Sequence, residues 1–303
     1  MDFNDQNIII LGAGFIGSEL CNKLVHHGGN VKLVSLTGGS KFRIPESVEV
    51  VACDINDNSA LAELFENQKV EYIFNTAGYV NHSSWSGDGV NLVKTHLIST
   101  MQQFSFISKE HLKRYIYIGS ADEYPASLNG PASEDMREEP RTPYAFAKTA
   151  ATHFLQMLWR NEGWPTVVGR VFLAYGPGQL SNRLIPSVLL SASTAGVIKT
   201  THGEQVRDFC HIDDLTNAIL RMAKQDNVEG QIYNLGSGSP YKVKDIVEII
   251  SQRYSSQVQF GALPTKPNEA HVQYANTDKT KRELEWVPEV AIHEGLTTVF
   301  QSR

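Results

Sequence analysis

The amino-acid sequence predicts an α/β protein with a doubly wound parallel sheet and a smaller, interleaved C-terminal lobe. Short apolar, β-branched runs alternate with helical patterns through the first half of the chain, which is typical of βαβ units and a parallel sheet. The runs are almost continuously apolar, as expected for strands that helices cover on both faces. After Gly176-Pro177-Gly178 the pattern becomes less regular, which indicates a second lobe.

The apolar runs and the helical periodicity place the elements along the chain. Strands are predicted at 7–13, 31–36, 48–54, 71–77 and 114–120. Helices are predicted from the first strand to about His27 and at 58–68, 89–109, 144–160, 182–192, 213–224, 242–254 and 278–285. We expect residues 1–172 to form one domain, with 206–235 returning to it, and residues 173–205 and 236–303 to form the second lobe.

Composition and charge exclude several classes of protein. The 303 residues are 41% hydrophobic and 20% charged, as in a compact globular protein. The net charge of -6 includes no basic block, so no nucleic-acid partner is expected. The apolar run from Ile8 to Leu11 is too short for a membrane span or a signal peptide. We therefore expect a soluble cytoplasmic protein with no membrane partner.

A glycine-rich turn follows the first predicted strand. Gly12 permits a tight turn, Gly14 lets the backbone approach a pyrophosphate, and Gly17 allows close packing of helix on strand. Phe15 and Ile16 begin the helix whose N-terminus would hold the anion. The strand before this turn and the helix after it predict a Rossmann-like fold and a nicotinamide dinucleotide site.

The end of the second predicted strand indicates which dinucleotide binds. An acidic residue that binds the adenosine ribose is expected there, but Ser35 and Thr37 occupy this region, followed by Lys41 and Arg43. Hydroxyl groups and cations suit a ribose 2′-phosphate, so the sequence favours NADP(H), with NAD(H) as the alternative. Asp54-Ile55 ends the third predicted strand, where the carboxylate either reaches the adenine amino group or caps a turn.

Three side chains are candidates for the chemistry. Tyr144 and Lys148 are four residues apart and therefore share one face of a helix. The Lys148 cation is expected to lower the pKa of Tyr144 and so prepare it for proton transfer. Ser120 ends a predicted parallel strand, at the sheet edge where active sites form, and is expected to hydrogen-bond the same substrate oxygen.

Further motifs along nearly the whole chain fit this pattern. They are Asn75-Thr76-Ala77-Gly78, Arg170 to Gly178, Arg207-Asp208-Phe209, His211-Ile212-Asp213-Asp214, Tyr233 to Gly238 and Leu284 to Pro288. With the glycine turn and the candidate catalytic group, they make the chain resemble extended short-chain dehydrogenases/reductases, the NAD-dependent epimerase/dehydratase family. The resemblance implies a nucleotide-sugar enzyme in which Lys148 also holds the nicotinamide ribose and Thr76, Ala77 and Gly78 lie along the cofactor. It also implies a homodimer formed through the helices predicted at 89–109 and 144–160.

The resemblance extends to substrate residues in the second lobe. The Arg of an RDF segment contacts the nucleotide diphosphate in such relatives, which corresponds to Arg207, and a second cation corresponds to Lys266. The guanidinium of Arg207 can bind a diphosphate through a bidentate fork of hydrogen bonds, whereas the ammonium of Lys266 can bind it only as a point charge. Asn182 is placed like the Asn that binds the phosphate, or else it is a plain helix N-cap. Ser120 and Ala121 are expected at the sugar.

No metal site is predicted. Cys21, Cys53 and Cys210 lie far apart in sequence, with no CxxC pair, so we interpret them as reduced and buried. The resemblance gives the His211 to Asp214 segment a structural role. His96 is interpreted as non-catalytic and lies where relatives often have Asn.

The sequence leaves more than one reaction open. Dehydratases of this branch place Asp-Glu directly after the catalytic hydroxyl residue, whereas here Ala121 intervenes, so dehydration is disfavoured. The missing ribose carboxylate, the short second lobe and the segment from Phe260 to Glu269 favour a nucleotide-sugar 4-ketoreductase. The last of these resembles reductases of the CDP-abequose synthase type. A nucleotide-sugar epimerase is the alternative, and a non-catalytic NADP sensor of the same fold is a third hypothesis.

Overall fold

A computed structural model describes residues 1–194, 196–265 and 269–302. The strands are β1 (Asn7–Leu11), β2 (Asn30–Ser35), β3 (Glu49–Ala52), β4 (Tyr72–Asn75), β5 (Arg114–Ser120), β6 (Pro131–Ala132), β7 (Thr166–Val171), β8 (Leu173–Tyr175), β9 (Val197–Lys199), β10 (Val206–His211), β11 (Ile232–Leu235), β12 (Pro240–Lys242), β13 (Gln257–Gln259) and β14 (Val272–Ala275). The α-helices are α1 (Phe15–His26), α2 (Asn58–Phe65), α3 (Val90–Val93), α4 (Ser99–Gln103), α5 (Pro143–Glu162), α6 (Leu184–Thr194), α7 (Ile212–Lys224), α8 (Val243–Tyr254), α9 (Asp278–Glu283) and α10 (Ile292–Gln301).

The largest layer is a seven-stranded sheet in the order β11-β7-β5-β4-β1-β2-β3. Every pairing in it is parallel. The chain order reverses between β1 and β4, so a crevice opens outside their carboxyl ends, where ligands bind in sheets of this kind. The predicted Rossmann-like doubly wound fold is therefore confirmed.

Helices cover both faces of this sheet, and the alternation of side chains along β1 shows why. Ile8 and Ile10 point into a core that they share with α1 and α7. Ile9 and Leu11 point the other way, into a core that contains α2 and α5. Because successive strand residues face opposite sides, a run that is apolar at every position can be buried only between two helical layers.

The helical run at 85–103 packs beside α5 and contains two π-helical segments, Trp85–Gly89 and Lys94–Ile98, which alternate with α3 and α4. It therefore begins and ends earlier than the predicted helix at 89–109. The other predicted helices occur with shifts of a few residues at their ends, because helix termini depend on local caps as well as periodicity.

The second lobe is built on a five-stranded sheet. Its strands run in the order β12-β10-β14-β6, and β8 pairs with β10. In the segment 206–235, β10 belongs to this second sheet, whereas α7 packs against α1 and β11 joins the large sheet. A third core cluster joins α6, α8 and α10 behind the second sheet.

The cysteines are free and buried, as predicted. In the ranges that the structure describes, no helix has the length and apolar character needed to cross a bilayer.

Candidate active site

Ser120 ends β5 and begins a tight 3₁₀ turn, Ala121–Glu123. Its Oγ accepts a hydrogen bond of 3.1 Å from the Asp122 N–H, and its own N–H donates to Oε1 of Glu123 at 2.9 Å. This reciprocal capping box fixes the turn. With Oγ already accepting from the backbone, its hydroxyl proton remains available to donate.

Helix α5 carries the other two candidates. Thr142 caps its N-terminus through a 3.1 Å hydrogen bond from the Ala145 N–H, and Pro143 occupies its first turn. Tyr144 and Lys148 are both buried on the face that packs toward β5. The structure therefore brings Ser120, Tyr144 and Lys148 together at the carboxyl end of β5.

The pKa of Tyr144 is raised, which corrects the prediction that Lys148 lowers it. Burial is the largest cause, and the Asp122 carboxylate adds to it, whereas a hydrogen bond with Ser120 and the charge of Arg183 act in the opposite direction. Tyr144 is consequently a neutral phenol at neutral pH, suited to donate a proton.

Lys148 points elsewhere than the spacing suggested. Its ammonium donates a 2.7 Å hydrogen bond to the carbonyl oxygen of Ile118 and lies 4.6 Å from the centre of the Tyr117 ring. Burial lowers the pKa of Lys148 to about 8, although the charge of Glu123 opposes the shift. Helical spacing places two residues on one face, but it does not determine where a long side chain ends.

The Glu123 carboxylate stabilises the 3₁₀ turn. It accepts hydrogen bonds from Nε of Arg170 at 2.9 Å and from Thr152 at 3.0 Å, in addition to the Ser120 N–H. Arg170 also donates to Glu138. This buried network holds the position of Ser120.

Two histidine rings lie edge-on to the Tyr144 ring. His96 is buried, with ring centroids 5.1 Å apart, and its Nε2 lies 2.9 Å from the carbonyl oxygen of Tyr79. Burial, followed by the charge of Lys148, lowers the pKa of His96 to about 3. His82 is exposed, with ring centroids 5.8 Å apart, and its Nε2 lies 2.8 Å from Oδ2 of Asp122.

Sequence reasoning missed His82 and Arg183 because neither belongs to a recognisable motif. His82 meets Asp122 across 40 positions of the chain. The only signal in the sequence was that Asp122 follows Ser120 closely, at a sheet edge where side chains from several strands converge.

The glycine turn lies at the same sheet edge and has the geometry of an anion site. Gly12 has a φ of +102°, and a Cβ at Gly17 would lie 1.9 Å from the Gly12 carbonyl oxygen. In the described part of the chain, a Cβ at Gly14 would meet no atom within 4 Å, and no side chain caps α1. Free space and uncapped N–H groups at a helix N-terminus fit a dinucleotide pyrophosphate.

The other predicted cofactor residues surround this turn. Thr76 Oγ1 donates to the carbonyl oxygens of Leu11 and Gly12, each at 2.9 Å, and Ala77 lies against Gly12. Gly78, at φ +115°, leaves room for the His96 ring. Phe15 and Ile16, in the first turn of α1, pack against the core on the α1 side of the sheet.

The loop after β2 folds back toward the glycine turn. Ser35 Oγ accepts from the Gly39 N–H at 3.0 Å, and Ser40 donates to the Ala13 carbonyl oxygen at 3.2 Å. Thr37, Lys41 and Arg43 are exposed.

At the end of β3, Asp54 Oδ1 accepts from the backbone N–H and the side-chain amide of Asn56, at 2.9 and 3.0 Å, so this carboxylate caps a turn. Ile55 packs against the core on the α5 side.

The predicted substrate residues are only partly brought together. Arg207 is buried and forms an ion pair of 2.7 Å with Glu269. It also lies close enough to Asp122 for the two charges to interact. Ala121 is buried beside Ser120. Asn182 is exposed in a turn two residues before α6, so it does not directly precede the helix as an N-cap would. Lys266 lies outside the described residues.

His211 accepts from the Asp213 N–H and lies 3.1 Å from Thr298. Within the described ranges, no group of three or more His, Cys, Asp or Glu side chains is arranged to hold a metal ion.

Comparisons with known proteins agree with this geometry. The model of the NAD dependent epimerase/dehydratase family matches residues 8–236. The dTDP-D-glucose 4,6-dehydratase of Bos taurus is 26% identical over 322 residues, covering 99% of this chain and 88% of that protein. The UDP-glucose 4-epimerase of Thermotoga maritima, crystallised with UDP-glucose, gives a TM-score of 0.91 at 23% identity, over 98% of each chain. The UDP-glucuronic acid 4-epimerase of Bacillus cereus, in complex with UDP-glucuronic acid and NAD, gives 0.88 at 22%, over 98% of each chain.

The chain therefore belongs to the NAD dependent epimerase/dehydratase family. The predicted membership of the extended short-chain dehydrogenases/reductases is confirmed. The prediction of an enzyme is confirmed with it.

Proposed function

We propose that the protein catalyses the NADPH-dependent reduction of the 4-keto group of a nucleotide-linked 4-keto-6-deoxysugar. The observation that carries the proposal is the position of Tyr144, on the face of α5 that packs against β5 and the Ser120 turn, at the sheet edge that also holds the glycine turn. A hydroxyl that donates and a phenol that stays protonated suit a carbonyl oxygen that gains a proton during reduction.

The protein's own residues would act as follows. Tyr144 gives its proton to the alkoxide that develops at C4, and Ser120 donates a hydrogen bond to the same oxygen. Lys148, held between the Ile118 carbonyl oxygen and the Tyr117 ring, lies beside this group and would bind the nicotinamide ribose. A nicotinamide dinucleotide supplies the hydride when it is bound.

The cofactor would lie along the glycine turn, with its pyrophosphate at Gly14, Phe15 and Ile16 and its nicotinamide end against the Thr76-Ala77-Gly78 turn. We infer NADP(H) over NAD(H) because β2 ends in Ser35, with the exposed Lys41 and Arg43 in the loop that follows. A carboxylate at this point would repel a 2′-phosphate, whereas hydroxyls and cations attract it. NAD(H) remains the alternative, since the Bacillus cereus structure contains NAD.

The nucleotide sugar would lie across the second lobe. Arg207 is the candidate for the diphosphate because a guanidinium presents a bidentate fork. Ala121 is the candidate for contact with the sugar, and Asn182 is the candidate for contact with the phosphate. The compounds in the two epimerase structures are UDP sugars, which supports a nucleotide sugar as substrate class.

The test uses the purified protein with NADPH or NADH and a panel of CDP-, dTDP-, GDP- and UDP-linked 4-keto-6-deoxysugars, followed by absorbance of the reduced dinucleotide. We expect stoichiometric loss of NADPH with one of these sugars. Tyr144→Phe should lower kcat/KM by roughly 100-fold or more. Tyr254→Phe, which removes a phenol oxygen far along the chain in α8, is the matched control and should leave the rate unchanged.

The alternative function is a nucleotide-sugar epimerase, which the likeness to two 4-epimerases favours. Interconversion of two sugar epimers with no net loss of NADPH would overturn the reductase and establish the epimerase. Binding of NADPH without turnover of any sugar, unaffected by Tyr144→Phe, would instead indicate a sensor.

We also infer that the protein forms a homodimer through the 85–103 helical run and α5. Apolar side chains are exposed on both, including Trp85, Val90, Phe146 and Met157, and monomers rarely expose a large apolar patch. Sedimentation equilibrium should give twice the chain mass. The double substitution Val90→Lys, Phe146→Lys should give the single-chain mass, whereas Val287→Lys, at an exposed apolar position elsewhere, should not.

A further inference from the structure

A second pair of proton-transfer groups stands beside the Ser120–Tyr144 pair. Nε2 of His82 lies 2.8 Å from Oδ2 of Asp122, and the His82 ring is edge-on to the Tyr144 ring at a centroid distance of 5.8 Å. Asp122 immediately follows Ala121 in the turn that Ser120 begins. The His82–Asp122 pair therefore lies beside Tyr144, next to the turn that begins at Ser120.

The Asp122 carboxylate is held in place from several directions. Its backbone N–H donates to Ser120 Oγ, and Gln273 Nε2 reaches both Oδ1, at 3.3 Å, and the Ala121 carbonyl oxygen, at 3.1 Å. Burial raises the pKa of Asp122, but the hydrogen bonds from His82 and Gln273 and the charge of Arg207 outweigh it and hold that pKa below its usual value. Asp122 is therefore an anion at neutral pH.

An anionic carboxylate determines which tautomer His82 adopts. Nε2 carries the proton that Asp122 accepts, so Nδ1 keeps its lone pair. In the part of the chain that the structure describes, Nδ1 of His82 has no hydrogen-bond partner. The His82 side chain is 46% exposed, so a ligand beside Tyr144 can reach the imidazole ring. A carboxylate-oriented imidazole with a free nitrogen is the arrangement of a general base.

We propose that His82, oriented by Asp122, removes and returns a proton at a sugar carbon next to the carbonyl that Ser120 and Tyr144 bind. The proposal rests on the proposed function, because it needs a keto-sugar in that place. The C–H bond at C3 or C5 breaks, its proton moves to Nδ1, and its electron pair forms a carbon–carbon double bond as the carbonyl becomes an enolate. The enolate oxygen accepts hydrogen bonds from Tyr144 and Ser120, and return of a proton from Nδ1 restores the ketone.

This step consumes no oxidant or reductant. It gives the site a second activity, enolisation of the bound keto-sugar, with exchange of hydrogen at C3 or C5. The reduced sugar would then carry hydrogen from solvent at a position that the hydride does not reach.

The test follows deuterium incorporation into CDP-4-keto-6-deoxyglucose, or the panel sugar that is reduced faster, in D₂O with the whole protein and NADP⁺. Mass spectrometry and proton NMR report the label and its carbon. We expect exchange at C3 or C5 roughly 100-fold above the protein-free rate. His82→Gln and Asp122→Asn should each lower it at least about tenfold. His293→Gln, at an exposed histidine in α10, is the control and should leave exchange unchanged.

The outcomes separate the two proposals. If NADPH is oxidised by a keto-sugar but no deuterium enters C3 or C5 above the protein-free rate, the role of His82 is wrong and the reductase stands. Exchange that persists in His82→Gln also overturns it. If no keto-sugar is reduced, bound or exchanged, the proposed function fails and this inference fails with it.

Discussion

Nε of Arg170 donates a hydrogen bond of 2.9 Å to the Glu123 carboxylate, and neither side chain has any contact with solvent. Disrupting a buried ionic network costs far more than losing a surface pair, and without Glu123 the buried Arg170 charge would keep Glu138 as its remaining carboxylate partner. The Glu123 carboxylate also accepts the Ser120 N–H, so the stability of the core and the position of a candidate catalytic hydroxyl depend on one side chain.

Glu123→Ala should therefore lower the free energy of unfolding by about 3 to 5 kcal/mol, measured by urea denaturation. Glu204→Ala is the matched control, because Glu204 also pairs with basic side chains, Lys242 and Lys244, but lies on the surface. That substitution should cost much less, because solvent screens an ion pair on the surface. Equal losses in the two variants would contradict the role of Glu123 in a buried ionic network.

Lys148→Met should separate activity from stability. The buried ammonium has one hydrogen bond, to Ile118, and burial lowers its pKa to about 8, so the charged form is costly to bury. A methionine of similar length should leave the free energy of unfolding unchanged or raise it by about 1 kcal/mol, while kcat/KM falls at least roughly 100-fold. Lys69→Met, at an exposed lysine, should change neither quantity. A large loss of stability in Lys148→Met would show that its role is structural.

His96 should make the fold sensitive to acid. Its pKa is lowered from 6.5 to about 3, so between these values the unfolded chain binds a proton that the folded chain does not. Stability therefore falls as the pH falls below about 6.5, by up to about 1.4 kcal/mol per pH unit from this group. The difference in unfolding free energy between wild type and His96→Asn should shift by about 1 kcal/mol, in favour of the variant, between pH 6.5 and 5.5. His293→Asn, at an exposed histidine, should show no such shift.

The loop after β2 should determine the choice of dinucleotide. If Lys41 and Arg43 attract a 2′-phosphate, replacing both with Ala should weaken NADPH binding by roughly tenfold and leave NADH binding nearly unchanged. Fluorescence titration with the two dinucleotides measures both constants. Lys32→Ala, which removes a cation from β2 itself that pairs with Glu49, is the control. Equal weakening of NADPH and NADH would contradict the 2′-phosphate site.

Much of the fold could be predicted because its signals are local. The uninterrupted apolar run of β1 requires cover on both faces, and Gly12 and Gly17 are needed at a turn where a Cβ would collide with backbone. Other features arise only from contacts between distant segments. The two-residue strand β6 exists because β14 pairs with it, and a segment that short carries no periodicity.

Most residues of the candidate site could be predicted from the sequence, but the contacts that they make could not. Asp122 and Glu123 are adjacent acidic residues, but the 3₁₀ turn gives them different partners. Asp122 contacts the exposed His82 ring, whereas Glu123 lies in the core and pairs with Arg170. The expected effect of Lys148 on Tyr144 failed for a similar reason, since burial outweighs a charge whose ammonium is bound to the β5 backbone. Spacing along a helix carries no information on burial or on partners from other elements.

The exchange of strands between the two sheets determines whether a cut in the chain can separate one lobe from the other. β6, from the first half of the chain, belongs to the second sheet, whereas β11, from the second half, belongs to the large sheet. Any single cut between β1 and β14 therefore divides the strands of at least one sheet. Neither lobe can be excised by itself as one contiguous fragment with its sheet whole. A transplanted second lobe would have to bring three separate stretches of chain, which contain β6, β8 to β10, and β12 to β14.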